Sequence, residues 1–257
     1  MSLQSLPEDY TALVQGASRG IGLALVARLC RDRRAGRVIA TCRHPRQATT
    51  LQEWSRKPGS RLQLVELDIT RPESIAAAAR MVEESGLAPS LVVNVAGLLH
   101  QGKEIQPEKR LEDLDMATLS RVFAVNVLGP AVFMRHFLPL MNSEGRAIMT
   151  VLSARVGSIS DNRLGGWYGY RASKAALNQM IRTAAIEARR RFPAVILAAL
   201  HPGTTDTDLS TPFQSRVPAG KLFTPDYVAD CLLRVMEGLD FDDSGGFFAW
   251  DGEPIPW

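Results

Sequence analysis

The sequence has few cysteines, and none of them is spaced for a shared site. There are three in 257 residues, far apart and odd in number. Neither a disulfide framework nor a cysteine-based metal centre is predicted, and a reducing cytosol is the expected compartment. The four histidines show no ligand spacing either. We therefore expect no metal site.

A targeting leader and long apolar runs are missing from the sequence as well. The first residues, MSLQSLPEDY, lack a basic region followed by an apolar stretch, which argues against a secretory signal. No stretch approaches the roughly 18 consecutive apolar residues of a membrane span. The formal net charge is +3, too small to favour nucleic acid as a partner. We expect neither a membrane nor a nucleic-acid partner.

Short apolar runs alternate with longer amphipathic segments along the whole chain. The runs are almost continuously apolar, as parallel strands covered on both faces are. Strands are predicted over 10–15, 37–42, 62–67, 90–95, 147–152, 194–200 and 246–250. Helices are predicted over 20–33, 45–56, 72–85, 114–141, 168–191 and 225–238, with a kink at Pro130. This alternation predicts an α/β fold, in which residues 1–257 form one Rossmann-type, doubly wound parallel sheet flanked by helices.

One long segment follows neither period. Between Pro202 and Pro225 the chain holds Pro212, Pro218 and Gly220 and shows no helical or strand alternation. Long irregular segments inside a compact domain are commonly functional. The pattern predicts a substrate lid near 204–224.

The first predicted strand runs directly into a glycine-rich loop, QGASRGIG (15–22). Gly16, Gly20 and Gly22 permit a tight turn and a close approach of the backbone. A helix beginning here directs free N–H groups and its positive dipole end at a phosphate. In this context the loop predicts a dinucleotide site, and the alternative is a plain tight turn.

The end of the second strand indicates which dinucleotide is bound. NAD-binding folds place an acidic residue there for the ribose 2′-hydroxyl. No acid occurs from Arg33 through Gln52, and Arg43 stands near the expected position, with Arg19 in the glycine loop. Guanidinium groups bind phosphate through charge-assisted, often bidentate hydrogen bonds. The pair predicts NADP(H), and the alternative for Arg43 is an exposed loop cation.

Two later strand ends also supply candidate residues. Asp68 follows the third strand, where it would either accept a hydrogen bond from the adenine amino group or cap the helix near Pro72. Spacing alone leaves these two roles open. The motif NVAG (94–97) ends the fourth strand and places Gly97 at the carboxyl edge, where ligands bind in such sheets.

Of the four tyrosines, only Tyr170 is followed four residues later by a lysine, Lys174. Within a strong helical pattern this spacing places both side chains on one face. A neighbouring ammonium favours the phenolate, which lowers the phenol pKa and suits Tyr170 to proton transfer. Tyr168 has Ala172 at that spacing, so it is predicted to be a pocket wall beside Trp167 instead.

Five motifs occur in the order found in the classical short-chain dehydrogenase/reductase family: GASRGIG, NVAG, FAVNVLG, YRASK and HPGTTDT. The chain resembles this family over nearly its whole length. The stretch SARVGSISDNRLGGWYGYRASKAALN and the ending AWDGEPIPW are similar to the branch that contains C-factor and the sniffer-type carbonyl reductases. Val95 departs from the family pattern, which usually has asparagine there, whereas Asn94 is kept.

The resemblance implies a catalytic tetrad of Asn126, Ser153, Tyr170 and Lys174. Tyr170 would exchange a proton with the substrate oxygen, Ser153 would hydrogen-bond that oxygen, and Lys174 would also bond the nicotinamide ribose. Asn126, polar on an apolar helix stripe, would hold the helix and a water that links Lys174 to solvent. The alternative for Asn126 is a satisfied core asparagine.

The serine of the tetrad has two candidates. The family serine commonly lies about a dozen residues before the tyrosine, and Ser158 has that spacing. Ser153 is preferred because it directly follows the strand 147–152, so its hydroxyl should emerge at the carboxyl edge. The loop SISDNRLGGW then looks like an insertion of a few residues. Ser158 remains the alternative.

The residue pattern and the resemblance together predict the cofactor site. The predicted contacts come from the glycine loop, the strand ends, the active-site helix and the HPGTTDT segment, in which Gly203 and Thr207 would face the nicotinamide carboxamide. They are Gly16, Ser18, Arg19, Gly20, Ile21, Gly22, Arg43, Asp68, Ile69, Asn94, Ala96, Gly97, Tyr170, Lys174, Pro202, Gly203, Thr205 and Thr207.

The favoured function is an NADPH-dependent oxidoreductase that interconverts a small carbonyl compound and an alcohol. The alternative is a nucleotide-dependent signalling or sensor protein of C-factor type on a reductase scaffold. A sugar-nucleotide epimerase is disfavoured by the GxxxGxG spacing, and a Rossmann-type methyltransferase by the Tyr170–Lys174 pair. The resemblance also implies a homodimer or homotetramer that associates through its two long helices, and the cysteine usage predicts a cytoplasmic location.

Overall fold

Seven parallel strands form the central sheet in the computed structural model, which describes residues 3–257, with Arg216 described by its backbone only. The strands of the described chain are β1 (Tyr10–Gln15), β2 (Ala35–Cys42), β3 (Leu62–Glu66), β4 (Pro89–Asn94), β5 (Ala147–Leu152), β6 (Val195–His201), β7 (Thr204–Thr205), β8 (Leu222–Phe223) and β9 (Phe247–Ala249). The sheet order is β3-β2-β1-β4-β5-β6-β9. Strands β2 and β3 are added on one side of β1, and β4 and the strands after it are added on the other side. This switch in strand order between β1 and β4 creates the crevice where ligands bind in such sheets.

Helices cover both faces of this sheet. They are α1 (Gly20–Arg31), α2 (Thr49–Ser55), α3 (Pro72–Glu84), α4 (Met116–Phe123), α5 (Gly129–Phe137), α6 (Tyr168–Arg191) and α7 (Pro225–Gly238). Buried side chains of α1, α2 and α7 share one core cluster, and those of α3, α5 and α6 share the other. The predicted doubly wound α/β fold is confirmed.

The two cores explain why the strands read as continuous apolar runs. Leu13 of β1 lies in one cluster and its neighbour Val14 lies in the other, and neither side chain is exposed. Because successive side chains of a strand point to opposite faces, a sheet covered on both sides requires apolar residues at both.

The predicted helix over 114–141 is continuous through its middle but is not uniform. A wider turn over Ala124–Leu128 joins α4 to α5 directly before Gly129 and Pro130. Proline removes a backbone donor, and a locally widened turn absorbs that loss without breaking the helix. Asn126 lies inside this turn.

One helical segment, Met116–Leu140, is long and apolar enough to cross a membrane by length and composition alone. Its 25 residues include a window of mean hydropathy 1.4, of which 33% is buried inside the protein. The sequence expectation missed this segment because it counted unbroken apolar runs, whereas polar residues such as Asn126 are averaged within the window. A single helix of this kind is weak evidence for a membrane span, and α5 packs against α3 and α6.

The segment 204–224 has more structure than its sequence indicates. Strands β7 and β8 pair in parallel at its two ends, Thr204 with Leu222 and Thr205 with Phe223. A short helical stretch, Thr211–Arg216, lies between them. The two-residue strands are too short to produce a readable alternation, which is why the sequence predicted only an irregular stretch.

Candidate active site

One large cavity, of about 1080 Å³, lies at the carboxyl edge of the sheet. It extends over the glycine loop, the ends of the central strands, the start of α6 and the segment 204–224. Most of the predicted cofactor contacts line it: Gly16, Ser18, Arg19, Gly20, Ile21, Arg43, Asp68, Ile69, Ala96, Gly97, Tyr170, Lys174, Pro202, Gly203, Thr205 and Thr207. Ser153 lines the same cavity.

The glycine loop leaves space and hydrogen-bond donors for an anion. Gly16 has φ +81°, and a Cβ there would lie 3.0 Å from the backbone nitrogen of Ala96. A Cβ on Gly22 would lie 2.2 Å from the carbonyl oxygen of Gly16, so only glycine lets α1 pack directly on the loop. The helix begins without a side-chain cap and without an acidic residue in its first turn. Its uncapped N–H groups fit a phosphate.

Arg19 and Arg43 extend from neighbouring strand ends beside this loop. Arg43 is exposed. The Arg19 guanidinium lies 2.7 Å from the carboxylate of Asp208, which belongs to the segment 204–224, and about 72% of the Arg19 side chain is exposed. Both cations predicted from the sequence therefore line the cavity beside the glycine loop.

Asp68 lines the cavity, and its carboxylate holds the turn after β3. Its Oδ1 accepts hydrogen bonds from the backbone N–H and the hydroxyl of Thr70, at 2.9 and 2.7 Å. The helix-capping alternative is wrong, since Arg71 precedes α3 and no side chain caps that helix. The adenine contact stays a prediction.

Tyr170 and Lys174 meet Ser153 at the other end of the cavity. Both side chains are buried on α6, and Lys174 Nζ lies 5.8 Å from the centre of the Tyr170 ring. The same Nζ donates to the carbonyl oxygen of Leu152, the last residue of β5, at 2.9 Å. Ser153 follows immediately, with 3% of its surface exposed. The helix and the strand end thus hold the three groups against one space.

Ser158 lies elsewhere. It lines a smaller hollow beside the start of α6, where its hydroxyl accepts a hydrogen bond from the backbone N–H of Asp161. The structure therefore brings Ser153, and not Ser158, to the cavity that holds Tyr170. Tyr168 also faces the smaller hollow, so its predicted place in the main pocket wall is wrong. A helix turns about 200° over the two residue steps from Tyr168 to Tyr170, which directs the two side chains to different sides.

Burial dominates the ionisation of the Tyr170–Lys174 pair. It raises the pKa of Tyr170, and it lowers the pKa of Lys174 to about 8. The sequence predicted the opposite direction for Tyr170, because it considered the neighbouring ammonium and not the loss of water around the phenol. A phenol that stays protonated at neutral pH is in the state needed to donate a proton.

Asn126 lies beneath the cavity and braces it. Its amide exchanges two hydrogen bonds with the backbone of Leu98, at 2.7 and 2.8 Å, and donates to the Ser173 hydroxyl at 3.0 Å. Leu98 belongs to the loop after β4, and Ser173 precedes Lys174. In the described chain Asn126 therefore ties the loop to the active-site helix, and both of its N–H donors are engaged.

Two predicted cofactor residues, Gly22 and Asn94, do not line the cavity. Gly22 supports the loop from below, as its contact with Gly16 requires. Asn94 is 1% exposed at the end of β4, and neither its Nδ2 nor its Oδ1 has a hydrogen-bond partner within residues 3–257. Gly22 thus supports the loop beneath the site, and Asn94 is enclosed behind the cavity surface.

Trp167 forms an aromatic wall of the cavity. Its ring centre lies 6.3 Å from that of Tyr170 and 4.8 Å from that of Phe213 in the segment 204–224. Its backbone has φ +53°, which is uncommon for a bulky residue and directs the ring out of the helix start. Arg171 holds this backbone in place by donating to the carbonyl oxygen of Gly166 at 2.9 Å.

Several residues of the site carry no local sequence signal. Glu108 is buried and accepts a hydrogen bond from the backbone N–H of Gly169 at the start of α6. His100 approaches the carbonyl oxygen of Asp208 at 2.9 Å. His201, at the end of β6, has an enclosed Nδ1 without a partner in the described structure, and burial lowers its pKa to about 4. Each depends on contacts between distant parts of the chain.

A glycine loop joined by one cavity to a tyrosine, a lysine and a serine, on a doubly wound sheet, defines a dinucleotide-binding oxidoreductase. The comparisons with known proteins agree. The family model described as short chain dehydrogenase matches residues 10–217, and the chain belongs to this family.

Three relatives place the chain within the family. C-signal of Myxococcus xanthus is 37% identical over 147 residues, which cover 57% of this chain and 83% of that protein. The NADPH-bound carbonyl reductase from chicken fatty liver is 30% identical, with a TM-score of 0.86 over 98% of this chain and 96% of that one. Carbonyl reductase Sniffer of D. melanogaster shares the fold, with 23% identity and a TM-score of 0.84 over 97% and 100% of the two chains. The predicted resemblance to this branch is confirmed.

Proposed function

We propose that the protein is an NADP(H)-dependent oxidoreductase that interconverts a carbonyl compound and an alcohol, with Tyr170 as the proton donor and acceptor. The observation that carries this proposal is the single cavity, which joins the glycine loop and its two arginines to Tyr170, Lys174 and Ser153. A nicotinamide dinucleotide bound along it would supply a hydride to the carbonyl carbon of the substrate.

The residues of this chain supply the proton and the positioning. In reduction, the Tyr170 hydroxyl gives its proton to the substrate oxygen as that oxygen gains negative charge, and the alcohol leaves with both hydrogens. Ser153 donates a hydrogen bond to the same oxygen. Lys174, fixed by the carbonyl of Leu152, stabilises the tyrosinate until a proton from solvent restores the phenol. Oxidation of an alcohol follows the same steps in reverse.

Replacing Tyr170 by phenylalanine tests this assignment. The change removes only the hydroxyl, so turnover of carbonyl substrates should be lost while NADPH still binds with nearly unchanged affinity. The measurements are steady-state oxidation of NADPH and a fluorescence titration of NADPH binding. Retained turnover in Tyr170→Phe would remove the residue from its role.

The preference for NADP(H) over NAD(H) is supported by Arg19 and Arg43, and by the related carbonyl reductase, which binds NADPH. A phosphate held by a guanidinium is worth about 1.5–3 kcal/mol, so Arg43→Ala should weaken NADPH binding by about 10- to 150-fold. NADH binding should change little. Equal affinities of the unmodified protein for NADPH and NADH would refute the proposed preference.

The walls of the cavity support an apolar or aromatic carbonyl substrate. The rings of Trp167 and Phe213 pack against each other with their centres 4.8 Å apart, and Leu209 lies near Gly97. We propose that the segment 204–224 acts as the substrate lid, since its residues from Thr204 to Ser210 line the cavity. A panel of aryl and alkyl ketones assayed with NADPH would rank the substrates.

A second candidate function is favoured by the C-signal relative: a nucleotide-dependent signalling or sensor protein on the same scaffold. The complete set of Tyr170, Lys174 and Ser153 in one cavity supports turnover instead. Tight NADPH binding without turnover across a broad panel of carbonyl compounds and alcohols would favour the signalling function.

The surface of the long helices and the state of the cysteines bear on assembly and location. The exposed Met116 and Leu128 on α4 and the turn after it, and Met180 and Ile186 on α6, support association through the long helices as a homodimer or homotetramer. Light scattering would measure the mass. All three cysteines are free thiols, which suits the proposed cytoplasmic location.

A further inference from the structure

Asn178 lies one helical turn beyond Lys174 and two turns beyond Tyr170, on the same face of α6. It is 2% exposed and does not line the cavity. Its amide nevertheless contacts the site, because Ser153 Oγ lies 2.6 Å from its Oδ1. Ser153 is 3% exposed, so the contact is enclosed on both sides.

This hydrogen bond determines what the serine can do. With Oδ1 facing it, Ser153 donates its proton to Asn178, and that proton is not available to a substrate oxygen in the cavity. A hydroxyl has one proton and two acceptor positions. If the amide nitrogen faces the serine instead, Ser153 accepts from Asn178 and its own proton is free to point into the cavity.

The other atom of the same amide indicates which arrangement is favoured. Asn178 Nδ2 is buried and has no hydrogen-bond partner within residues 3–257. An enclosed N–H group without a partner is rarer in proteins than an enclosed carbonyl oxygen without one. A half-turn of the amide pairs Nδ2 with Ser153 and leaves only the oxygen unpaired.

We propose that Asn178 is a positioning residue of the active site: its Nδ2 donates to Ser153 Oγ and thereby directs the Ser153 proton at the substrate oxygen. This inference rests on the proposed carbonyl–alcohol function. Asn178 touches neither substrate nor cofactor, and it acts only through the serine.

Two substitutions test the direction of this hydrogen bond. In Asn178→Asp an ionised carboxylate can only accept, so it retains the Ser153 proton. Losing one donor to a developing oxyanion costs about 10²–10³-fold in kcat in other enzymes, and we expect a loss of about 10- to 100-fold here. The loss should grow as pH rises and the buried carboxyl ionises, because the neutral acid can still donate. Asn178→Leu, similar in size, should lose kcat without that pH dependence.

A double-mutant cycle separates this role from simple packing. Ser153→Ala alone removes the directed proton, so adding Asn178→Asp or Asn178→Leu to it should lower kcat by less than about twofold further. The KM for NADPH should stay unchanged throughout. Gln179→Glu is the matched control, since it makes the same charge change at the neighbouring, exposed position and should leave kcat unaltered.

The outcomes are distinct. Wild-type kcat in both Asn178 variants, or single effects that multiply in the double variants, would overturn the inference. If Asn178→Asp does not fold by circular dichroism, Asn178→Leu and its double variant decide the question. Absence of turnover by the unmodified protein would overturn the proposed function and this inference with it, whereas turnover with multiplying effects overturns the inference alone.

Discussion

Replacing Asp208 by asparagine is expected to tighten NADPH binding and to leave NADH binding unchanged. In the structure the Arg19 guanidinium is paired with the Asp208 carboxylate at 2.7 Å. A ribose 2′-phosphate that uses Arg19 must therefore compete with Asp208 or share the cation with it. Removing the carboxylate charge removes the competitor, and only a cofactor that carries the phosphate gains.

The size of the effect follows from the exposure of the pair. The two side chains are 72% and 73% exposed, and such pairs are worth about 0.2–1 kcal/mol. That range corresponds to a gain of about 1.4- to 5-fold in NADPH affinity. The gain should shrink at high salt, because the screening length falls from about 10 Å at 0.1 M to about 3 Å at 1 M.

The assay is a fluorescence titration with both cofactors, at low and high salt, of the unmodified protein and four variants: Asp208→Asn, Asp206→Asn, Arg19→Ala and Arg19→Ala/Asp208→Asn. Asp206→Asn is the matched control: it removes the same charge from the same segment, but its carboxylate accepts from Gln214 and not from Arg19. In Arg19→Ala/Asp208→Asn the gain should vanish relative to Arg19→Ala.

Two results would refute the reasoning. An equal gain for NADH would show that Asp208 acts through the lid or the general field and not through the 2′-phosphate. A gain that persists without Arg19 would show that the pair is not the competitor.

Three further predictions concern the residues around the cavity. His201→Gln should reduce the loss of stability in acid. The enclosed histidine has a pKa of about 4 in the folded protein against about 6.5 when unfolded, so the free energy of unfolding falls by up to about 3 kcal/mol as pH falls from 6.5 to 4. Urea unfolding at pH 7.5 and at pH 5 should therefore show a smaller difference in unfolding free energy for the variant, and an unchanged difference would contradict the assignment. Trp167→Gly should relieve about 1 kcal/mol of left-handed backbone strain. It should also raise the KM for aryl ketones about tenfold, because the contact between the indole ring and the substrate is lost. An unchanged KM would show that Trp167 is not part of the substrate wall. Gly16→Ala should weaken NADPH binding and cost about 1–3 kcal/mol in stability, whereas Gly59→Ala, with a similar positive φ but open space around its Cβ, should cost stability alone.

Several parts of the site were readable from the sequence because they are local. The glycine loop lies directly between a strand and a helix, and the spacing of Tyr170 and Lys174 places them on one helix face wherever that helix packs. The seven apolar runs predicted the strands to within two residues at each end, since burial on both faces leaves no polar positions.

Other features depend on contacts between distant segments. The carboxyl end of β5 placed Ser153 in the cavity, and the packing of the following loop carried Ser158 into a different hollow. The direction of the Tyr170 pKa was wrong in the sequence prediction because desolvation depends on every segment that encloses the phenol. Asn178 was missed since its partner is 25 residues away, and nothing in its own segment marks it.

The sequence by itself determined the layered α/β fold, the phosphate loop and the tyrosine–lysine pair, since each follows from periodicity or from neighbouring residues, and its motifs carried the resemblance to the family. Only the tertiary structure decided which serine reaches the cavity, that Asp208 pairs with Arg19 across 189 residues, and which way the buried groups titrate. These depend on distance and on exclusion of water, and both are set by how the strands and helices pack.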